Sequence, residues 1–154
     1  MRESKSKEIS MAWTKKECVV VPTDFSEMSL KALDVANQFV DDDKKIHLIH
    51  VAQDLDEYTI SGRLSVASDE QLQKHIEGIK EKMKEELANA DYRRAQIALI
   101  HGSPPVEIAK YAKEVNADLI VMPSFGRTGI KDLAMGSVAE RVLRLAHCPV
   151  LILK

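Results

Sequence analysis

The chain has 154 residues, of which 45% are hydrophobic and 30% are charged, and a mass of 17.2 kDa. This size and composition are ordinary for one folded globular domain and exclude a chain that is mainly disordered. The 22 basic and 24 acidic residues give a formal net charge of −2, which excludes the strong positive field expected of a nucleic-acid-binding protein.

The sequence carries no sign of export, of a membrane span or of paired cysteines. No apolar run reaches the roughly 20 residues of a membrane helix, and residues 1–17 lack the apolar stretch of a signal peptide. Cys18 and Cys148 form neither a CxxC pair nor a zinc-binding spacing, so we expect a reduced, cytoplasmic protein without a membrane partner. Residues 1–16 show no helical or strand period, and we predict a mobile tail there, followed by one domain over residues 17–154.

The first predicted elements are a strand, a helix and a second strand. Residues 18–23 form an apolar run that stops at a proline, which is typical of a strand buried on both faces. Residues 26–40 follow with a helical period, in which Leu30 and Leu33 belong to the predicted inner face. A second apolar run at residues 46–51 predicts the next strand.

The rest of the chain continues this alternation. A polar stretch at residues 52–67 predicts an irregular loop, and apolar residues at steps of three and four predict an amphipathic helix over residues 72–90. The remaining elements are strands at residues 95–100, 117–122 and 149–154 and helices that begin at Pro104, with Val106 on the inner face, and at Ser137. Because the five strands are apolar throughout, we predict an α/β fold, a single doubly wound domain with a five-stranded parallel sheet and helices on both faces.

The loops that follow the strands are the candidate ligand positions. In open parallel sheets, ligands bind beyond the carboxyl ends of the strands, where the strand order reverses. The candidates are Pro22, Thr23 and Asp24 after the first strand, His50 and Val51 at the end of the second, and residues 123–137 after the fourth.

The third of these loops has the most specific pattern. Gly126 is followed by nine residues and then by Gly136 and Ser137 at the start of a helix. Glycine lets the backbone approach an anion closely and permits a positive φ, and the first N–H groups of the helix, at Ser137 and Val138, favour negative charge. The Ser137 hydroxyl and Arg127 add further donors. The alternative is a flexible loop in which Ser137 simply caps the helix.

Two stretches of this sequence resemble the universal stress protein family. They are VVVPTDFSEMSLKAL and PSFGRTGIKDLAMGSVAERVLRLAHCPVLIL, and the similarity extends over nearly all of residues 18–154. Members that hold ATP carry Gly, two residues, Gly, nine residues, Gly and then Ser or Thr. Gly126, Gly136 and Ser137 match this pattern, and Pro123 stands where the first glycine would be. The resemblance implies the strand order 3-2-1-4-5.

The resemblance also implies a stress-response regulatory protein that binds an adenine nucleotide, ATP or AMP. It places Asp24 near the ribose or a metal and the backbone of Val51 near the adenine. If Asp24 faces phosphates, Mg²⁺ is needed between the negative charges, whereas toward the ribose it accepts hydroxyl hydrogen bonds. The expected nucleotide-binding residues are Pro22, Thr23, Asp24, Val51, Ser124, Gly126, Arg127, Gly136, Ser137 and Val138.

Other functions remain open at this point. We expect no catalytic residues and at most slow ATP hydrolysis, because the sequence offers no nucleophile beside a general base. One alternative is a slow ATP-hydrolysing enzyme, and another is a family member that has lost nucleotide binding and serves as a dimeric interaction module with an unknown protein partner.

The last predicted strand also suggests how two copies of the chain assemble. In the strand order 3-2-1-4-5, residues 149–154 lie at a sheet edge, and Val150 to Leu153 make that edge apolar, so we expect a homodimer through this strand. The alternative is that the tail around Met11 and Trp13 covers the edge within one chain.

Overall fold

The protein is an α/β domain, seen in a computed structural model that describes residues 15–53, 69–126 and 135–154. The described elements are, in chain order, β1 (Val19–Pro22), α1 (Glu27–Asn37), a 3₁₀ turn (Asp43–Lys45), β2 (Ile46–Ala52), α2 (Asp69–Asn89), β3 (Gln96–His101), α3 (Pro104–Glu114), β4 (Leu119–Pro123), α4 (Ser137–Leu145) and β5 (Val150–Leu153). The predicted tail up to residue 14, the greater part of the predicted loop at residues 52–67, and Arg127 lie outside the described residues.

The five strands form one parallel sheet in the order β3-β2-β1-β4-β5. Both the parallel sheet and the strand order 3-2-1-4-5 are therefore confirmed. The strand order reverses between β1 and β4, where Val19 pairs with Leu119 and Val20 with Ile120. β3 and β5 are the two edge strands of the sheet.

Helices cover both faces of the sheet because successive strand residues point to opposite sides. Val19 and Val21 are fully buried against α1 and α2 on one face, in a cluster that includes Leu33 and Met83. Val20 is buried on the other face with Ile108 of α3 and with residues of α4. None of the helices within the described ranges combines the length and the apolar character needed to cross a bilayer.

The predicted inner faces of two helices are partly wrong. Leu30 is 36% exposed and Val106 is 40% exposed, although the apolar spacing placed both toward the sheet. In α1 the small residues Ser29 and Ala32 are buried in place of Leu30, together with Leu33. The buried face of α1 is therefore formed by small side chains together with Leu33, and the larger apolar Leu30 lies beside this face.

Candidate functional site

The turn between β1 and α1, residues 23–26, is closely fixed by its own hydrogen bonds. The Thr23 N–H donates to the Ile49 carbonyl oxygen at 2.8 Å, which continues the β1–β2 pairing by one residue. Phe25 adopts a left-handed φ of 63°, and Ser26 caps α1 by accepting from the Ser29 N–H. A left-handed conformation is costly for a residue with a side chain, so the surrounding contacts must hold this turn.

Asp24 and Gly126 meet at the point where the strand order reverses. A Cβ atom placed on Gly126 would lie 2.8 Å from Asp24 Oδ2, so the carboxylate lies directly against the glycine backbone. The other carboxylate oxygen, Oδ1, accepts a hydrogen bond from the Ser26 N–H at 3.0 Å. The structure thus joins the ends of β1 and β4 through two residues that the sequence analysis selected separately.

The end of the β4–α4 loop returns to the same place. The Gly136 N–H donates to the Ser124 carbonyl oxygen at 2.8 Å, and the Ser124 N–H donates to the Leu153 carbonyl oxygen at 2.7 Å. Ser124 is buried, whereas Ser137 and Val138 at the start of α4 are exposed. Because the first N–H groups of a helix have no partner within the helix, the exposed start of α4 offers hydrogen-bond donors beside Ser124.

The reason for glycine at position 136 differs from the prediction. Gly136 has φ −75° and ψ 154°, so the expected positive φ is wrong. It is the N-cap residue of α4, and N-cap residues normally adopt this extended conformation. Glycine is needed because a Cβ atom would lie only 2.8 Å from the Ser124 carbonyl oxygen. The alternative of Ser137 as the cap is also wrong, since Ser137 is the first helical residue.

Pro123 is the last residue of β4 and is buried. The Ile120 N–H donates to the carbonyl oxygen of Pro149, just before β5, and the Ser124 N–H donates to that of Leu153, the last residue of β5. Since successive backbone groups of a strand point to alternate sides, the nitrogen of Pro123 faces the β1 side of β4. A residue other than proline would present an N–H group at the level of the β1–α1 turn, and proline removes it.

The other predicted residues of the β1 and β2 ends are less open to a ligand. Pro22 is the half-buried last residue of β1. The Thr23 side chain is buried and accepts the Phe25 N–H at 3.0 Å, so its hydroxyl serves the turn itself. Val51 is half-buried inside β2, where it pairs with Ile100 of β3.

Four further side chains support the β1–α1 turn: His50, which was a candidate from its place at the end of β2, and Phe25, Lys82 and Glu86, which were not predicted. The His50 Nδ1 lies 2.8 Å from the Thr23 carbonyl oxygen and must carry a proton, because a carbonyl can only accept. The His50 and Phe25 rings lie 4.6 Å apart between centroids, and the Lys82 ammonium lies 4.3 Å from the Phe25 ring centroid. The Thr23 hydroxyl also contacts Glu86 Oε2, at 3.2 Å.

Lys82 and Glu86 are four residues apart on α2 and so share one face of the helix. That spacing is visible in the sequence, but it does not reveal which turn the face meets. Burial raises the pKa of the Glu86 carboxyl group and the charge of Asp24 raises it further, while the Thr23 hydrogen bond and Lys82 act in the opposite direction.

Among the described residues, no three His, Cys, Asp or Glu side chains are placed to hold a metal ion.

These features define a doubly wound α/β domain with a candidate ligand site at the reversal of strand order. The model of the universal stress protein family matches residues 17–154. The chain belongs to this family.

Individual relatives agree with this assignment. Universal stress protein MJ0531 of Methanocaldococcus jannaschii is 35% identical over 146 residues, which are 88% of this chain and 81% of that protein. The solved structure of MJ0577 from the same organism has a TM-score of 0.70 and 28% identity, covering 93% of this chain and 96% of that one. A universal stress protein in complex with cAMP has a TM-score of 0.61 and 25% identity, covering 90% and 96%.

Proposed function

We propose that this chain binds an adenine nucleotide, ATP or AMP, at the carboxyl ends of β1 and β4, and that occupancy alters its assembly or its contacts with a protein partner in a stress response. The observation that carries the proposal is the contact of Asp24 with Gly126 beside the exposed start of α4. The family relative that is in complex with cAMP supports the choice of an adenine nucleotide.

Each part of the nucleotide has a proposed contact. The phosphates would accept hydrogen bonds from the N–H groups at the start of α4, at Ser137 and Val138, and from the Ser137 hydroxyl, with Arg127 as a further donor. Asp24 would accept hydrogen bonds from the ribose hydroxyls, because a carboxylate repels phosphates in the absence of a cation. The backbone near Val51 would face the adenine. Mg²⁺ is then required only for a nucleotide whose phosphates reach Asp24.

The test begins with the purified protein as it is isolated. Heat denaturation and chromatography of the supernatant should release ATP or AMP, and calorimetric titration with each nucleotide, with and without Mg²⁺, should give saturable binding. Retained nucleotide without phosphate release favours a regulatory protein. Phosphate release over many turnovers that is lost in Asp24→Ala would instead favour the slow ATP-hydrolysing enzyme. No binding by the wild-type protein would favour an interaction module that has lost its ligand.

We also propose a homodimer in which β5 of one copy pairs antiparallel with β5 of a second copy. β5 lies at the sheet edge, and its apolar residues Val150, Leu151, Ile152 and Leu153 are half-buried. An apolar edge strand invites pairing, and a two-fold axis closes the assembly at two copies. A reduced, cytoplasmic setting fits Cys18 and Cys148, which are free thiols in this structure.

A further inference from the structure

A chain of hydrogen bonds runs from α2 into the β1–α1 turn of the proposed nucleotide site. Glu86 Oε2 and Thr23 Oγ1 are 3.2 Å apart, and Thr23 Oγ1 and Ser29 Oγ are 3.0 Å apart. Ser29 Oγ in turn donates to the Ser26 carbonyl oxygen at 2.7 Å. The Phe25 N–H also donates to Thr23 Oγ1, at 3.0 Å. The chain therefore has three oxygen–oxygen contacts and reaches both ends of the turn.

The number of protons available to this chain of hydrogen bonds depends on the ionisation of Glu86. Each hydroxyl has a single proton, so Thr23 and Ser29 together supply two protons for three contacts. If Glu86 is ionised, Thr23 donates to Glu86 and Ser29 donates to Ser26, and the contact between Thr23 and Ser29 has no proton. If Glu86 is neutral, it donates to Thr23, Thr23 donates to Ser29 and Ser29 donates to Ser26. All three contacts are then hydrogen bonds, and the two lone pairs of Thr23 accept from Phe25 and Glu86.

The groups around Glu86 come from three elements. Asp24 follows β1, Lys82 lies one turn earlier on α2, and His50 lies near the end of β2 with its Nδ1 on the Thr23 carbonyl oxygen. Burial has the largest effect and raises the pKa of Glu86, and the charge of Asp24 adds a smaller increase, while the Thr23 hydrogen bond and Lys82 act in the opposite direction. A bound nucleotide would add negative charge to the same region and so would disfavour an ionised Glu86 further.

We infer that Glu86 is a positioning residue of the nucleotide site, where its neutral carboxyl group donates to Thr23 and completes the hydrogen bonds that fix the turn carrying Asp24. The inference rests on the proposed function. Ionisation of Glu86 removes one proton from the chain and places a second negative charge near Asp24. Nucleotide affinity therefore decreases as the pH rises through the pKa of Glu86, by about fivefold, the factor that corresponds to one hydrogen bond.

The experiment measures AMP affinity by calorimetry from about pH 5 to about pH 8 in the wild type and three variants. Glu86→Gln keeps a neutral donor and should retain the low-pH affinity over the whole range. Glu86→Ala should bind about fivefold more weakly at low pH. Glu85→Gln is the matched control, because Glu85 is exposed on the same helix and its replacement changes the net charge equally. It should follow the wild-type profile, and parallel profiles for wild type and Glu86→Gln would overturn the inference.

Two measurements without nucleotide separate this inference from the proposed function. The carboxyl carbon of Glu86, observed by NMR in the wild-type protein, should titrate with a midpoint above the ordinary value of 4.5, and a midpoint at or below 4.5 refutes the proton chain. The free energy of unfolding of the wild type relative to Glu86→Gln should fall as the pH rises through that midpoint, because the raised pKa stabilises the fold only while Glu86 is neutral. Absence of nucleotide binding at every pH would overturn the positioning role and the proposed function, whereas these two measurements would still decide the proton chain.

Discussion

Replacement of Gly136 by alanine tests the close approach that shapes the start of α4. The backbone angles of Gly136 suit any residue, so the effect must come from the added Cβ atom, 2.8 Å from the Ser124 carbonyl oxygen. Ordinary van der Waals contact begins at 3.4 Å, so the backbone at position 136 and the backbone at Ser124 must separate by the difference between these distances, about 0.6 Å. The same oxygen accepts the Gly136 N–H at 2.8 Å, and this separation stretches that bond beyond about 3.2 Å, the usual limit.

The expected cost of Gly136→Ala is about 1–2 kcal/mol of unfolding free energy, since one hydrogen bond is weakened and a contact is crowded. The N–H donors at the start of α4 move together with residue 136, so AMP affinity should fall about tenfold. Urea unfolding and calorimetric titration measure the two effects. Gly78→Ala is the control, because Gly78 lies in α2 with nothing within 4 Å of the added Cβ atom, and alanine there should stabilise by up to about 1 kcal/mol. A Gly136→Ala protein with wild-type stability and affinity would refute the reasoning.

Four further predictions test separate parts of the structure. Ser137→Ala should weaken AMP binding about fivefold and leave the melting temperature unchanged, because Ser137 does not cap α4; a fall in melting temperature alone would contradict this. Ile152→Lys should reduce the mass seen by light scattering from twice 17.2 kDa to 17.2 kDa, while Leu30→Lys on α1 should leave it unchanged, and a dimer in both would exclude β5. Burial lowers the pKa of His47, so the wild-type free energy of unfolding should fall as the pH drops below the ordinary 6.5, and His47→Gln should lose this dependence in urea titrations. Pro123→Ala restores an N–H on the β1 side of β4 and should tighten AMP binding about fivefold, whereas unchanged affinity would show that the nucleotide does not reach it.

The sheet was predictable because its strands are short apolar runs separated by polar or helical segments. Val19, Val20 and Val21 are all fully buried, as expected of a strand covered on both faces. The strand order came only from the family resemblance, because apolar runs do not encode which strand lies beside which. The strand boundaries moved by one or two residues, for example from 117–122 to Leu119–Pro123 for β4.

The candidate site was predictable in its location and less so in the role of each residue. Asp24 and Gly126 could be selected because loops after parallel strands converge at one edge. The sequence gives no sign, however, that Gly136 serves a close backbone approach, because that depends on where Ser124 lies in space. The same holds for Glu86, whose partner Thr23 is 63 residues away in the chain.

The buried face of α1 and the hydrogen-bond chain of the turn have one physical origin. Ser29 is polar but lies four residues before Leu33 and so shares its face of the helix, where it is 1% exposed. Burial of a hydroxyl is costly unless its hydrogen bonds are satisfied, and here Ser26 accepts the Ser29 proton while Thr23 shares the second contact. Thr23 can do this only because Glu86 and the Phe25 N–H complete its own bonds. The burial of Ser29 on the inner face of α1 therefore depends on the same hydrogen bonds that fix the turn carrying Asp24. Substitutions that break these hydrogen bonds should thus change the site more than they change the sheet.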